Sequence, residues 1–292
     1  MENTVSDFLD RRETPIVDLR DGEDFEEMHI IHASSFPVEC LSERRYELPP
    51  QSVPLRLVGT PDQLEEAIEF LKGYSFEACI SWNTQAIEVL KQRDVLVSGA
   101  ESKVLWKPAR IVQKFCDRTE QRDGSDRWVA PARRRALDIG AGAGRDSVHL
   151  AMNGWDVNSI DNQQWAIDRL ELLANRHNVS VKPYLLDVEA DEDVLDQIPG
   201  SFDLVVIVRY LYRPLFPAIK KKISPGGFMV MQTFMEGCEK FKGPKKARFL
   251  LKKNELAELF SDEFVVLEDM VEYLDDGRPT NVFIAQKTAT TQ

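Results

Sequence analysis

The chain has 292 residues, 43% hydrophobic and 29% charged, enough for two ordinary cores or one large α/β domain. Its 37 basic and 49 acidic residues give a net charge of −12, which argues against a protein that coats nucleic acid or an anionic membrane. Four scattered cysteines with no CxxC pair, four histidines with no HExxH and no long apolar run exclude a disulfide framework, a zinc ribbon and a membrane span. They predict a cytoplasmic protein with reduced thiols, no metal and no membrane partner.

The acidity is concentrated at the start, where the first hundred residues carry nine basic and twenty acidic side chains. Pro15–Leu19 reads as a short apolar strand and residues 23–28 as a helical turn. Pro54–Val58 is a second strand. Thr60 is then a helix N-cap, with Pro61 at the first helical position, a helix over Gln63–Lys72 and Gly73 as its stop. Leu64, Ala67, Ile68 and Leu71 fall on one face of that helix and are expected to be buried. Phe76–Ile80 is a third strand, and the βα alternation predicts a small, mostly parallel sheet.

The run Ile16-Val17-Asp18-Leu19-Arg20-Asp21, followed by Phe25 to Ala33 with His29-Ile30 and Ala33, resembles the rhodanese family. Met28 stands where that family has a glycine before the histidine. The resemblance implies a nucleophilic cysteine after the strand that ends at Val58, but Gly59 occupies that position and a short acidic loop follows. A glycine cannot replace a thiolate, so sulfur transfer is expected to be lost and the fold kept for binding, positioning or stability. Cys79 lies inside an apolar strand and reads as an inert core cysteine. His29 and His32 lack a third ligand and read as a structural turn.

Residues 101–130 include the charged, aperiodic stretch Asp117–Trp128 and read as a linker. Beyond it, Arg135–Ile139 is a strand, Gly140-Ala141-Gly142-Ala143-Gly144 a tight turn, and Asp146–Met152 a helix. Glycines let the backbone turn sharply beside a ligand, and the following helix presents free N–H groups. The spacing is D-x-G-x-G-x-G from Asp138, not the dinucleotide G-x-G-x-x-G, and the G-K-[ST] of a P-loop is absent. A purely structural turn is the competing explanation. The next strand, Trp155–Ile160, ends at Asp161, which can accept hydrogen bonds from a ribose diol. A helix over Gln164–Asn175 and a strand over Ser180–Leu186 lead to Asp187. Leu204–Val208 is a strand buried on both faces, and a helix over Pro214–Ile223 precedes a fifth strand over Phe228–Met231. Lys220-Lys221-Lys222 suits the C-terminal end of that helix.

This pattern resembles the class I S-adenosylmethionine-dependent methyltransferases over residues 131–290, through the glycine turn, Asp161, Asp187, Phe202-Asp203-Leu204 and Pro225-Gly226-Gly227. Gly144-Arg145-Asp146-Ser147, Gly154-Trp155-Asp156-Val157 and Phe249 to Leu256 are similar to its tellurite-resistance type. The resemblance implies S-adenosyl-L-methionine as cofactor, with Gly140, Gly142 and Gly144 packed against its methionine and ribose parts. Asp161 would take the ribose hydroxyls, Asp187 with Val188 the adenine and Arg145 the carboxylate, with Asn162 also among the cofactor-binding residues. Asp138 is either a direct contact or a hydrogen-bonding support of the turn. A helix starting within Trp106–Val112 is expected to lid the cofactor.

The expected fold class is α/β: a rhodanese-like domain over residues 1–100, a linker with a lid helix over 101–130, and a doubly wound, mostly parallel Rossmann-like methyltransferase sheet over 131–292. The expected function is in-line methyl transfer to a small-molecule acceptor, a thiol or chalcogen by resemblance. Arg209 and Tyr210 are the residues expected to orient it, within a burst that includes Tyr212 and Arg213. A non-catalytic cofactor-binding regulator, or an RNA or protein methyltransferase that binds its target through the first domain, is the alternative. Lys240–Arg248 is the only dense basic run, either a solvated loop or an attractor of anions or RNA.

Overall fold

The computed structural model describes residues 4–10, 14–120, 128, 133–191 and 193–289, which divide into two compact units, Met1–Lys107 and Pro108–Gln292. The first unit contains α1 (Val5–Leu9), β1 (Ile16–Asp18), α2 (Gly22–Glu27), β2 (His29–Ile30), β3 (Ala33–Ser35) and α3 (Leu41–Arg44). It continues with β4 (Leu55–Gly59), α4 (Pro61–Phe70), β5 (Phe76–Ser81), α5 (Thr84–Gln92) and β6 (Leu96–Val97). The sheet order is β3-β1-β4-β5, all parallel, and β2 pairs with β6 antiparallel.

Alternation along the strands builds two cores. Val17, Leu57 and Cys79 point to one face of the sheet, and Ile16, Val58 and Ile80 to the other. Buried Arg56 breaks this apolar pattern, and its guanidinium is satisfied by the carbonyls of Phe8 and Thr14, which tie the N-terminal segment to the sheet. The α4 start is as expected: Thr60 and Gln63 form a reciprocal capping box, with Pro61 in the first turn. Its buried face is narrower than expected, because Leu64, Ala67 and Leu71 are buried while Ile68 is 39% exposed.

The second unit contains α6 (Arg110–Glu120), β7 (Arg135–Ile139), α7 (Arg145–Met152), β8 (Asp156–Asp161), α8 (Gln164–Arg176) and β9 (Val181–Leu185). Then come β10 (Phe202–Val208), α9 (Phe216–Lys222), β11 (Ile223–Phe234), α10 (Glu255–Phe260), β12 (Phe264–Tyr273) and β13 (Pro279–Lys287). The sheet order is β12-β13-β11-β10-β7-β8-β9; the strands from β11 to β9 are parallel, and β13 runs antiparallel to both its neighbours. Strand order reverses between β7 and β10, which opens a crevice at their carboxyl ends. Central β10 is buried on both faces, with Leu204 and Val206 in one core and Val205 and Ile207 in the other.

The linker expected over 101–130 is corrected within its described part. Residues 110–120 form α6, whose Ile111, Val112, Phe115 and Cys116 are buried in the second unit's core. Phe115 packs edge-on against Phe228 with ring centroids 5.2 Å apart. The helix is held by the sheet, where a lid over the cleft was expected. Most of the exposed stretch expected over Asp117–Trp128 lies outside the described residues. Among the described residues, no helix is long and apolar enough to cross a membrane.

Candidate cofactor cleft

The turn after β7 carries left-handed backbone at Gly140, Gly142 and Gly144, with φ of 75°, 55° and 82°. At Gly144 space also forbids a side chain, since a Cβ would lie 2.6 Å from Leu170 Cγ and 3.0 Å from its Cα on α8. At Gly142 the outer face is open, with nothing within 4 Å of a Cβ. The turn is fastened to the tip of β8. Gly140 and Ala141 N–H both donate to the Ile160 carbonyl at 2.9 Å, and Gly142 N–H donates to Asp161 Oδ2 at 2.9 Å. Gln163 N–H donates to Asp161 Oδ1 at 3.0 Å, so each carboxylate oxygen is held by one backbone donor and keeps further acceptor capacity.

Asp161 faces a cleft that it shares with Gly140, Asn162, Asp187, Val188 and Tyr210, with Ile160 and Leu186 supplying apolar wall. Six of the residues expected from the sequence therefore come together there. Asp187 is held by the Glu189 N–H, which donates to its Oδ1 at 2.9 Å. Gly142 and Gly144 shape the turn beside the cleft without lining it, and Arg145 starts α7 with its side chain in solvent.

Asp138 lies behind the turn instead of in the cleft. It is 2% exposed and accepts a 2.6 Å hydrogen bond from Ser147 Oγ, which in turn accepts from Ser159 Oγ at 2.8 Å. The direct contact is corrected in favour of the supporting one. Burial, then the nearby Asp146 charge, push the Asp138 carboxyl up to about 7, opposed by the Ser147 bond and aided by Asp161. Asp146 was not foreseen. It accepts the Ala109 N–H at 2.6 Å just before α6, and burial raises its pKa against that bond and against the Arg145 and Arg209 charges.

Tyr210 covers Gly140: a Cβ built on the glycine would lie 3.3 Å from Tyr210 Cβ. The Tyr210 hydroxyl donates to Glu189 Oε1 at 3.1 Å, and burial together with the Glu189 charge pushes it far above the usual phenol range. Glu189 also went unforeseen, because no spacing rule marks it. Arg209 takes a left-handed φ of 58°, and its N–H donates to the Gln232 carbonyl at 2.7 Å. Such a φ is uncommon for a non-glycine residue and marks a position fixed by its surroundings. The exposed Arg209 guanidinium makes no hydrogen bond among the described residues, and Arg145, Asp146, Arg278 and Asp276 surround it.

Arg213 is removed from the acceptor-side group. Its guanidinium grips both Glu255 oxygens, at 2.5 and 2.9 Å, and donates to the carbonyls of Arg248 and Leu250. It staples the 248–255 segment to the end of β10. Tyr212 is partly buried against the core.

In the first unit, Gly59 leads straight into the Thr60 capping box, and a Cβ there would meet Leu19 Cβ and Gln63 Oε1 at 3.2 Å. The Cys79 thiol is buried and its pKa raised by that burial. His29 is buried, stacked on Phe25 at 3.8 Å and bonded through Nδ1 to the Phe25 carbonyl at 2.8 Å. No group of three His, Cys, Asp or Glu among the described residues could hold a metal ion.

The family described as "Tellurite resistance protein TehB" matches residues 123–278, just over half of the chain. An uncharacterized protein of Schizosaccharomyces pombe is 24% identical, over 95% of this chain and 94% of its own length. The probable S-adenosyl-L-methionine-dependent methyltransferase TehB of Haemophilus influenzae is 27% identical over 44% of this chain, which spans just under half (45%) of that relative. The crystal structure of TehB from Haemophilus influenzae is similar with a TM-score of 0.45 and 24% identity, covering 53% of this chain and 57% of that one. The chain belongs to the tellurite resistance protein TehB family of class I S-adenosyl-L-methionine-dependent methyltransferases.

Proposed function

We propose that the second unit catalyses methyl transfer from S-adenosyl-L-methionine to a small, anionic acceptor, a thiolate or a chalcogen anion. The observation that carries this reading is the clamp on Asp161, whose carboxylate is held by the Gly142 and Gln163 N–H groups in a cleft that Asp187 also lines. The residues fit the cofactor. Asp161 and Asn162 would hold ribose hydroxyls, Asp187, Val188 and Leu186 would meet the adenine, and the glycine turn beginning at Gly140 would leave room for the methionine part. The carboxylates of Asp161 and Asp187 suit a cationic ligand. When bound, the cofactor supplies an electrophilic methyl group on a sulfonium with a neutral leaving group.

The chain's own work is alignment and exclusion of water. Tyr210 stays protonated, so it can donate or wall off the cleft but cannot take a proton from the acceptor. The two carboxylates lining the cleft accept backbone donors, and among the described residues no histidine or lysine lines it. An acceptor that arrives already ionised needs no base, which favours soft anions over amines and hydroxyls. The Arg209 guanidinium, which makes no hydrogen bond among the described residues and follows β10 next to the cleft residue Tyr210, would orient such an anion.

We further propose that residues 1–100 form a rhodanese-like domain without sulfurtransferase activity, kept for binding or stability. The parallel sheet and the D-x-R strand end support the likeness. Asp18 and Arg20 of that motif form a buried ion pair at 2.7 Å, and Gly59 with its capping box leaves no nucleophile and no open anion loop.

Methyl release from labelled S-adenosyl-L-methionine, measured over small thiols, selenite and tellurite, tests the transfer. Turnover should follow ionisation of the thiol series and fall with Arg209→Ala; bound cofactor without turnover on any acceptor would support a sensor instead. Gly59→Cys should remain unable to form thiocyanate from thiosulfate and cyanide, and recovery of that activity would contradict the closed-turn argument.

A further inference from the structure

We propose that the exposed loop after β11 is a docking strip for a single-stranded polynucleotide. The loop runs between short 3-10 turns at Cys238–Lys240 and Ala247–Phe249. Lys240, Lys242, Lys245, Lys246 and Arg248 project from it into solvent, and none forms an ion pair among the described residues. Of the two acids in the loop after β11, Glu236 is exposed, and Glu239 turns its carboxylate back to accept from the Gly237 N–H at 2.8 Å. Cations left unneutralised on a chain of net charge −12 are a concentrated positive field, and the acidity lies mostly in the first hundred residues.

Two aromatic rings interleave with these cations: Phe241 and Phe249 are 36% and 37% exposed, and the Arg248 guanidinium lies over one face of Phe249, 4.6 Å from its centroid. Alternating cations and exposed rings match a strand that offers a phosphate at every step and an unstacked base face between them. A duplex hides those faces, and an acidic peptide offers nothing for the rings to stack on.

The loop is anchored, so the strip is organised before it binds anything. Arg278 donates to the Gly243 carbonyl at 3.0 Å, Cys238 Sγ–H donates to the Pro279 carbonyl at 3.2 Å, and Phe241 packs over Gly277, where a Cβ would come within 3.2 Å of its ring. Arg278 is also one of the charges facing Arg209, which faces Arg145 beside the glycine turn. Arg278 is itself ion-paired with Asp276 at 2.8 Å, and Asp146 and Asp276 also face Arg209, so the positive field of the strip is that of the loop's own cations. The proposal does not need the methyl-transfer reading, since no residue of the strip lines the cleft.

Fluorescence anisotropy with the full chain and labelled oligouridylate tests it, with oligothymidylate, a duplex RNA and polyglutamate of equal charge as comparison ligands. The oligouridylate should bind at about 50 mM salt, with a log–log salt slope near −2, as expected for about three phosphate contacts. Lys242→Glu/Lys245→Glu/Lys246→Glu should weaken binding at least about tenfold and flatten the slope, and Phe241→Ala should weaken it about tenfold at an unchanged slope. Equal binding of oligothymidylate leaves the polynucleotide class intact and shows that the ribose hydroxyl is not read. Binding of polyglutamate or duplex as tight as the single strand, no binding at low salt, or unchanged affinity in the triple variant would overturn the proposal. Thermal unfolding of each variant reports its folding, so a failure of cofactor binding in the folded native chain would sink the methyl-transfer reading and leave this one standing.

Discussion

Tyr210 and Glu189 meet at the mouth of the cleft, the phenol hydroxyl donating to the carboxylate at 3.1 Å while the base of the ring covers Gly140. One side chain follows β10 and the other lies beyond β9, so the bond links the two sides of the crevice where strand order reverses. Because the tyrosine is held protonated, its loss should remove a positioning contact and no proton acceptor. Tyr210→Phe is expected to lower kcat/KM about tenfold, the worth of one hydrogen bond to a charged partner, with cofactor affinity little changed. Steady-state rates across alkaline pH check this: an ascending limb present in the native chain and absent from Tyr210→Phe would show that Tyr210 acts as a base.

Two glycines of the turn should respond differently to alanine. Gly144→Ala combines a left-handed φ with backbone and side-chain collisions against Leu170, so it should cost about 3 kcal/mol or more. Gly142→Ala meets only the conformational penalty, about 1–2 kcal/mol. Denaturant unfolding of both variants, compared at equal m-value, measures the gap.

Asp138 should make stability fall as pH rises. Its folded pKa of about 7 stands above its ordinary value of 3.8, so between these the folded chain holds a proton that the unfolded chain releases. The penalty is absent in acid, grows from about pH 4 to about pH 7 and is constant beyond. Asp138→Asn keeps an acceptor for Ser147 and removes the buried charge. It should raise Tm at alkaline pH and match the native chain in acid; an equal Tm difference at both ends would refute the account.

Arg213 should prove structural. With four acceptor contacts to Glu255, Arg248 and Leu250, Arg213→Ala is expected to destabilise by about 2–3 kcal/mol. Cofactor affinity measured well below the unfolding transition should not change. A drop in turnover at native stability would return it to the acceptor side.

The parallel half of the second unit was legible because each strand is a short apolar run closed by a glycine turn or an acid, as at Ile139, Asp161 and Asp187. The β12–β13 hairpin was not, since β12 sits at the sheet edge and mixes Glu268, Asp269 and Glu272 into its apolar residues. Sequence placed Asp138, Arg209 and Arg213 near one edge but could not tell which of them would face the cleft, solvent or a partner. That depends on what packs beside them: Ser147 under the turn takes Asp138, and Glu255, more than forty residues away, takes Arg213. Ile68 was misjudged for the same reason. Helical spacing gives a face, whereas the width of that face is set by the sheet beneath it. Asp146 and Glu189 carry no spacing signal and emerge only from what they touch, the Ala109 N–H and the Tyr210 hydroxyl.

Calorimetric titration of the purified chain with S-adenosyl-L-methionine, beside Asp161→Ala of matched Tm, bears most directly on the cleft. The native chain should bind one equivalent with Kd in the range of about 1–100 μM, and the variant should bind at least about tenfold more weakly. Absence of binding to the folded native chain at about 1 mM ligand, or equal affinity in both proteins, would contradict a cofactor cradle built on Asp161.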